Sequence, residues 1–386
     1  MEANSGMKVS KRGSVPPFYV MEVMKAAAER EAAGKEVLHL EVGQPSTQAP
    51  SGVLKAAAEA LQNERLGYTN ALGIPELRNR IARHYRDYYG VRIPAERIAI
   101  TTGSSGAFLL SFLASMDAGD RIALAEPGYP AYRNILTSLD IEAVGIPTGP
   151  ETRFQPTPEL LDRVEGKLDA LLVATPANPT GTMLDTDAMS ALVEYCDQQN
   201  MRLIVDEIYH GITYHGPAVT AASLSDRVII INSFSKYFSM TGWRLGWMVV
   251  PEDLHRAVEC LAQNHFISPP AHSQAAALAA FDCMDEAEEN VERYRRNREI
   301  LLRELPEAGF DQLAPADGAF YIYADVSKLT NDSVAFCQKM LDETGIAATP
   351  GIDFDPPRGH RYVRFSFAGA TEEMEEAVKR LKDWLA

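Results

Sequence analysis

Short apolar runs alternate with helical stretches between about residues 50 and 250. Most of these runs are apolar at successive positions, as expected of strands that are buried on both faces. They are RIAITTG, RIALAEP, DALLVATP, RLIVDEIY, RVIIINS and LGWMVVP. Because helical stretches such as IPELRNRIARHYRDYYG separate them, the alternation predicts an α/β fold with a mainly parallel sheet sandwiched by helices.

The two ends of the chain differ from this middle part. After a loose arm of about fifteen residues, FYVMEVMKAAAEREAAG predicts an amphipathic helix and VLHLEVG a short strand. A long helical region covers about residues 271–304, and the strand-like GAFYIYADV and RYVRFSFAG follow it, each ahead of a helix. These ends predict a smaller α+β domain. The expected division is residues 1–48 for the arm and part of the small domain, 49–288 for the large domain and 289–386 for the small C-terminal domain.

The length and charge of the chain limit its function. A chain of 386 residues is long for one hydrophobic core, which agrees with two domains. Its net charge of −16 argues against a nucleic-acid partner, because phosphates attract basic surfaces. No apolar run approaches the roughly 20 residues that a membrane helix needs. The N-terminus lacks an apolar signal segment, so we expect a cytoplasmic protein without a membrane partner.

The cysteines and histidines show no pattern typical of disulfides or metal sites. The four cysteines are scattered without a CxxC pair, which favours free thiols in a reducing compartment. None of the eight histidines has a spacing typical of metal ligands, such as HExxH. We therefore expect no metal site.

Polar residues follow several of the predicted strands at the point where each strand ends. Asn178 comes after DALLVATP, Asp206 after RLIV and Lys236 after RVIII, about one strand–helix unit apart. The turn TGSSGAF follows RIAIT, and Tyr129 follows RIALAEP. Since ligands bind at the carboxyl ends of strands in open α/β sheets, these groups are expected to converge on one cleft.

Together these groups suit one cofactor. An amine in a cleft forms a Schiff base with an aldehyde, and a buried carboxylate keeps a ring nitrogen protonated so that the ring withdraws electrons. A glycine–serine turn and an arginine can hold a phosphate. An aldehyde, a pyridine ring and a phosphate together are pyridoxal 5′-phosphate.

With these motifs the sequence resembles the fold type I, class I/II aminotransferases, related to aspartate aminotransferase, from roughly residue 16 to the C-terminus. The resemblance rests on S-x-S-K and G-x-R-x-G at 233–246, NPTG at 178–181, D-x-x-Y at 206–209 and RFSFA at 364–368. It implies a large domain for the cofactor and a small domain. It also implies transfer of an amino group from an L-amino acid to a 2-oxo acid in two half-reactions.

The resemblance also implies the catalytic roles. Lys236 would form the internal aldimine with pyridoxal 5′-phosphate and then act as the base that moves a proton from Cα of the substrate. Asp206 would pair with the pyridinium nitrogen, and Tyr209 with Asn178 would bind the 3′-oxygen of the ring. Tyr129 would stack on the ring. Without the motif context, Lys236 would be a surface lysine and Asp206 a strand-end cap.

The phosphate would be held by the glycine–serine turn and by the motif around the lysine. The residues implied by the resemblance are Ser104, Ser105, Ser233, Ser235 and Arg244. The serines could equally cap the next helix, which is compatible with phosphate binding. Tyr68, in LGYTN, resembles a tyrosine that reaches the phosphate of the neighbouring subunit and so implies a two-fold homodimer; a buried core tyrosine is the alternative.

The substrate's α-carboxylate would bind Arg364, with Asn178 nearby, because an arginine fork suits a carboxylate. Arg361 competes for this role. Gly43, in EVGQPS, matches a glycine at which the backbone of related enzymes approaches the substrate.

The donor is expected to be a neutral amino acid, either aliphatic or aromatic. Aspartate-specific subgroups carry a lysine in the phosphate turn, where this chain has Ser105, or an arginine shortly before the pair Pro269–Pro270, where QNHFIS has no cation. Pyruvate or 2-oxoglutarate is the acceptor that the resemblance implies.

Two other functions stay open at this point. One is a different reaction on the same scaffold, such as a decarboxylase, a C–S lyase or a synthase. The other is a non-enzymatic sensing domain of a transcription regulator, which the acidic charge and the short segment ahead of the first strand disfavour.

Overall fold

The computed structural model describes residues 7–386. The strands, in chain order, are β1 (Leu38–His39), β2 (Ile98–Thr101), β3 (Arg121–Glu126), β4 (Glu142–Pro147), β5 (Ala170–Ala174), β6 (Arg202–Asp206), β7 (Ile229–Ser233), β8 (Gly246–Val249), β9 (Gln312–Leu313), β10 (Tyr321–Asp325), β11 (Ile346–Ala347), β12 (Thr349–Pro350) and β13 (Tyr362–Ser366). The helices are α1 (Tyr19–Ala32), α2 (Ser51–Asn63), α3 (Pro75–Tyr89), α4 (Gly103–Ser115), α5 (Pro130–Ser138), α6 (Pro158–Leu161), α7 (Thr186–Gln198), α8 (His255–His265), α9 (Ala271–Ala277), α10 (Met284–Glu304), α11 (Ser333–Thr344) and α12 (Thr371–Leu385).

The larger sheet has seven strands in the order β2-β8-β7-β6-β5-β3-β4. Neighbouring strands are parallel from β4 to β7, and β8 is antiparallel to both β7 and β2. The predicted mainly parallel α/β sheet is therefore confirmed. Strand β4 was not among the predicted runs, because its segment EAVGIP lies at the edge of the sheet and is only partly buried.

The strands of this sheet are buried on both faces. On β7, Ile229 and Ile231 pack into one hydrophobic core, and Ile230 packs into the other. Successive residues of a strand point to opposite faces, so an unbroken apolar run gives each face its own core. This explains why the strands have no alternation of polar and apolar positions.

The smaller lobe is built from both ends of the chain. Its antiparallel sheet has the order β12-β13-β10-β9, and β1 pairs in parallel with β11. Helix α1 packs there through Ala27, which joins a core with Leu341 and Ala347. The expected boundaries at residues 48 and 288 remain a prediction.

The helical region predicted from about 271 to 304 is interrupted. Helix α9 ends at Ala277, a 3-10 turn covers Ala280–Asp282, and α10 starts only at Met284. The turn places Phe281 against Phe234 and Phe238, with ring centroids 5.6 and 5.2 Å away. Burial of this aromatic side chain therefore accompanies the break.

The N-terminal arm lies only partly within the described residues. From residue 7 onwards it is exposed, with a short 3-10 turn at Lys11–Gly13 and an ion pair between Arg12 and Asp140. All four cysteines are free thiols, as expected. From residue 7 to 386, no helix is both long and apolar enough to cross a membrane.

Candidate active site

A cavity of about 680 Å³ lies at the carboxyl ends of the parallel strands, where the small lobe faces the large sheet. Eleven of the residues predicted from the sequence line it, and they come from both lobes. They are Gly43, Ser104, Ser105, Tyr129, Asn178, Asp206, Tyr209, Ser235, Lys236, Arg244 and Arg364. The described residues contain no group of three or more histidine, cysteine, aspartate or glutamate side chains placed to hold a metal ion.

Lys236 follows β7, and its side chain reaches across the cavity to the N-terminal segment. Its Nζ donates a hydrogen bond of 2.6 Å to the carbonyl of Gly43. Burial lowers the pKa of Lys236 to about 8, with a smaller contribution from the charge of Arg364, whereas the carboxylate of Asp206 opposes the shift. The amine is thus far easier to deprotonate than one in water.

Asp206 is the last residue of β6, and its carboxylate is buried. One oxygen accepts a hydrogen bond from the hydroxyl of Tyr132 on α5, and the other accepts one of 3.0 Å from the backbone N–H of Ile208. Burial raises the pKa of Asp206 to about 6, although both hydrogen bonds lower it. The group is therefore mainly an anion at neutral pH, although its side chain is almost fully buried.

Three aromatic hydroxyls complete the wall beside the lysine. The hydroxyls of Tyr209 and Tyr321 are 2.7 Å apart, and the ring of Tyr209 lies 5.8 Å from Nζ of Lys236. Tyr129 meets Tyr132 edge to face, with 5.2 Å between ring centroids. Burial raises the pKa of Tyr129 to about 12, so its hydroxyl stays protonated.

Arg364, on β13, reaches the cavity from the small lobe. Its guanidinium donates a hydrogen bond of 2.9 Å to Oδ1 of Asn178 and others to the carbonyl of Glu41 and to Thr349 Oγ1. Its Nε is buried and has no hydrogen-bond partner among the described residues. Arg361, the competing arginine, instead pairs with Asp325 at 2.6 Å and does not line the cavity.

The glycine–serine turn and Arg244 form one compact corner. Gly103 has φ of +75°, and a Cβ added to it would lie 2.7 Å from Nη2 of Arg244. A Cβ on Gly246 would lie 3.0 Å from the backbone nitrogen of Ser104. The backbone of the turn and the guanidinium thus lie close together, and Ser104 and Ser105 line the same cavity, an arrangement that suits an anion.

Two of the predicted cofactor ligands do not line the cavity. The Ser233 hydroxyl oxygen lies 2.8 Å from Ser235 Oγ and 3.0 Å from the carbonyl oxygen of Leu245, so it stands behind Ser235. Tyr68 is 84% exposed on the surface beside Pro269 and Pro270. The alternative of a buried core tyrosine at position 68 is therefore wrong.

Other lining residues were not singled out from the sequence. Tyr132 and Tyr321 contact the predicted residues directly, and the first turn of α1 supplies an apolar wall. The wall residues are Phe18, Val20, Met21 and Met24. Only the spacing of the two tyrosines in GYPAY hinted at Tyr132, since it places both on the same turn that enters α5.

The mainly parallel sheet thus ends in a cleft that holds an easily deprotonated lysine and a buried carboxylate, which is the usual place of the active site in α/β enzymes. Residues 35–381 match the sequence profile of the family aminotransferase class I and II. The chain belongs to this family, and it is an aminotransferase of fold type I. The predicted family, fold and class of enzyme are thereby confirmed.

Individual relatives agree with this assignment. The valine–pyruvate aminotransferase of Mycobacterium tuberculosis is 52% identical over 382 residues, which cover 98% of each chain. A crystal structure of an aminotransferase from Mycobacterium tuberculosis has a TM-score of 0.97 at 52% identity and covers 98% of this chain and 99% of that one. The structure of aspartate aminotransferase from Thermus thermophilus with maleate has a TM-score of 0.92 at 29% identity, covering 98% and 100%.

Proposed function

We propose that this aminotransferase uses pyridoxal 5′-phosphate bound at Lys236 and takes a neutral aliphatic L-amino acid, such as valine, as its donor. A 2-oxo acid such as pyruvate would be the acceptor. The observation that carries the proposal is the cavity in which the Lys236 amine, the Asp206 carboxylate and the Arg364 guanidinium face one another beside an apolar wall.

The residues of the cavity fit each part of this cofactor. Lys236 offers an amine for the aldehyde, and Asp206 is a buried carboxylate that suits a protonated ring nitrogen. The corner of Gly103 and Arg244, which excludes a Cβ, suits the phosphate together with Ser104, Ser105 and Ser235. When bound, the cofactor supplies an electron-withdrawing ring that stabilises negative charge on Cα of the substrate.

The chain's own groups handle the proton and the carboxylate. With a pKa of about 8, Lys236 is partly neutral near physiological pH and can accept the proton from Cα. The Nε of Arg364 has no hydrogen-bond partner among the described residues, so its N–H is available as a donor to the α-carboxylate of the substrate. Asn178 orients this guanidinium through its hydrogen bond of 2.9 Å.

The preference for an aliphatic donor follows from the apolar part of the cavity wall. The first turn of α1 brings Phe18, Val20, Met21 and Met24 into the cavity, and none of them can pair with a side-chain carboxylate. The cations of the described lining are Lys236, Arg244 and Arg364, and each has a role already. A second carboxylate on the donor would lose its hydration without gaining a partner. The similarity to a valine–pyruvate aminotransferase supports the same choice.

The active unit is proposed to be a homodimer in which Tyr68 serves the neighbouring site. Tyr68 is exposed in a surface hollow that Pro269 and Pro270 also line, and the nearby Ile267 is exposed too; exposed apolar side chains of this kind are typical of interfaces. Sedimentation of the cofactor-loaded protein should give twice the mass of one chain, and Tyr68→Phe should weaken cofactor binding. A monomer that binds the cofactor normally contradicts this arrangement.

A panel of donors tests the substrate. The cofactor-loaded protein is assayed with valine, leucine, phenylalanine and aspartate, each with pyruvate or 2-oxoglutarate, and the new 2-oxo acid is measured. Valine should exceed aspartate in kcat/KM by at least about tenfold, because the aspartate carboxylate finds no cation. Release of CO2 or ammonia instead of a 2-oxo acid, or aspartate as the best donor, contradicts the proposal.

A substitution in the apolar wall of the cavity tests the donor preference against a matched control. Met21→Arg adds a cation to the cavity and should raise kcat/KM for aspartate relative to valine. Met7→Arg adds the same charge to the exposed arm, outside the cavity, and should leave the ratio unchanged. Equal ratios in the two variants would show that the first turn of α1 does not contact the donor side chain.

A further inference from the structure

Two of the cationic side chains of the cavity, Lys236 and Arg364, donate hydrogen bonds to one short backbone segment. The carbonyl of Glu41 accepts a hydrogen bond from Arg364, and the carbonyl of Gly43 accepts one of 2.6 Å from Nζ of Lys236. Thr349 Oγ1 also donates to the Glu41 carbonyl at 2.9 Å. The position of residues 41–43 therefore decides where both cations stand.

The side chain of Glu41 is an unusual anchor for this segment. It is only 1% exposed, and its Oε1 lies 2.9 Å from Nδ1 of His39. Its Oε2 is buried without a hydrogen-bond partner among the described residues. Because a buried carboxylate is costly unless it is paired, the contact with His39 is what makes this side chain tolerable in its position.

His39 in turn connects the segment to α1. Its Nε2 lies 3.2 Å from the carboxylate of Glu31 on that helix, and across β11 its neighbour is the uncharged Ala347. The two carboxylates that face the ring raise the pKa of His39 to about 9, with the hydrogen bond to Glu41 as the main cause. The ring is thus a cation over the physiological range.

We propose that His39 and Glu41 are positioning residues, which hold the segment 41–43 so that Arg364 presents its guanidinium to the substrate carboxylate. This inference rests on the proposed role of Arg364 in carboxylate binding. His39 itself lies outside the cavity lining and does not touch the reacting atoms.

The test compares three variants in the cofactor-loaded protein. His39→Gln removes the cation and should raise KM for both the donor and the 2-oxo acid by about tenfold at pH 7, as the loss of a charged hydrogen bond predicts. Both substrates carry the carboxylate that Arg364 binds, so their KM values should rise together, and by a larger factor than kcat falls. Glu31→Gln removes only the exposed partner of His39 and should leave both KM values within about twofold.

The pH profile separates positioning from a general loss of structure. The contribution of a protonated His39 is complete below its ordinary pKa of 6.5 and is lost as the pH rises through about 9. The ratio of KM in His39→Gln to KM in the wild type should therefore fall towards one above pH 9, since titrations shared by both proteins cancel. His39→Lys, which keeps a cation beside Glu41, should hold KM near the wild-type value to higher pH.

Several results would overturn the inference. The first two are a ratio of KM in His39→Gln to KM in the wild type that equals one at all pH values, or a raised ratio that does not change with pH. The other two are a KM of His39→Lys as high as that of His39→Gln, or an increase of KM in Glu31→Gln equal to that in His39→Gln. The side chain of His39 is 37% exposed, so its variants are expected to fold, and far-ultraviolet circular dichroism checks this. The assay of the wild type tests the proposed function separately. If the wild type produces no 2-oxo acid, the proposed function fails, and the variants then say nothing about the role of His39.

Discussion

The hydroxyl of Tyr132 donates a hydrogen bond to the carboxylate of Asp206, and both groups are buried. Tyr132 stands at the beginning of α5, whereas Asp206 ends β6, so the contact joins two strand–helix units of the large sheet. The hydrogen bond stabilises the charged form of the carboxylate against the cost of burial. Asp206 can thus remain an anion at neutral pH although its side chain is almost fully buried.

Replacing Tyr132 by phenylalanine should therefore weaken cofactor binding. The pKa of Asp206, about 6 with the hydrogen bond in place, should rise, and the neutral acid pairs poorly with a ring nitrogen. We expect the dissociation constant for pyridoxal 5′-phosphate at pH 7 to increase about tenfold, as for a hydrogen bond to a charged group. The difference in dissociation constant between the variant and the wild type should narrow as the pH rises, because the carboxylate of Asp206 then ionises in the variant too.

Tyr195→Phe is the matched control for this experiment. Tyr195 also donates to a carboxylate, that of Asp162 at 2.9 Å, but on the surface of the large domain away from the cavity. Its replacement should leave the dissociation constant unchanged. Equal affinities in Tyr132→Phe and the wild type at pH 6 to 7 would mean that the tyrosine does not support the charge of Asp206.

Lys236→Met should stabilise the cofactor-free protein while it abolishes turnover. The pKa of Lys236 is about 8 in the fold against 10.5 in an unfolded chain, so below pH 8 the fold carries the cost of a buried cation. Removing that charge should raise the free energy of unfolding at pH 7 by about 3 kcal/mol, since each pKa unit between 8 and 10.5 costs about 1.4 kcal/mol. Denaturant unfolding measures this, with the exposed Lys55→Met as a control that should change little.

The pH dependence gives the sign of this effect. Between pH 8 and 10.5 the unfolded wild type binds more protons at this lysine than the folded protein does, so the wild type gains stability as the pH rises. The advantage of Lys236→Met should therefore shrink over that range. An advantage that stays constant up to pH 10 would show that packing, not charge, is responsible.

Arg364→Lys should reduce kcat/KM for every donor and acceptor. A lysine cannot reproduce the fork that binds Asn178 and the Glu41 carbonyl while it keeps a donor for the substrate. We expect a loss of about 100-fold, since two or more charged hydrogen bonds are affected. Arg361→Lys is the control, because that side chain pairs with Asp325 near the surface, and its kinetics should match the wild type.

The two glycines of the G-x-R-x-G motif should differ in their tolerance to alanine. A Cβ on Gly246 would lie 2.8 Å from the carbonyl oxygen of Asn232 and 3.0 Å from the nitrogen of Ser104, and neither backbone can move easily. Gly246→Ala should lower the free energy of unfolding by about 2 kcal/mol, as overpacking does. A Cβ on Gly242 meets nothing within 4 Å, so Gly242→Ala should unfold like the wild type.

Thermal unfolding of the two apoproteins measures this difference directly. A smaller effect is expected on cofactor affinity from Gly242→Ala than from Gly246→Ala, because only the latter pushes on the turn that carries Ser104. Equal stabilities of the two variants would mean that the strand β8 can shift away from its neighbours without cost.

The sequence predicted the large sheet and most of the cavity because both follow from the parallel strands. Runs that are apolar on both faces marked the strands, and Asn178, Asp206 and Lys236 converge because parallel strands end on the same side. Strand β4 was not predicted, because it is only partly buried and lacks an unbroken apolar run. The aromatic and phosphate-turn residues were placed through a resemblance of motifs, and their roles remain predictions.

The residues that were missed depend on contacts between segments distant in the chain. Nothing local distinguishes Tyr132 or Tyr321 from other tyrosines, and the apolar face of α1 looks like any face that packs on a core. Only the fold shows that Met21 and Met24 turn towards a cavity. Ser233 illustrates the opposite case, since its motif position suggested a ligand but its hydroxyl bonds to Ser235.

The cavity takes its walls from the beginning, the middle and the end of the polypeptide, with Gly43, Lys236 and Arg364 as examples. A ribosome therefore releases Arg364 more than a hundred residues after Lys236, and a nascent chain that exposes Lys236 but not yet Arg364 has no enclosed pocket around the lysine. Capture of the vitamin-derived aldehyde is thus expected to follow the docking of strand β13, which carries Arg364.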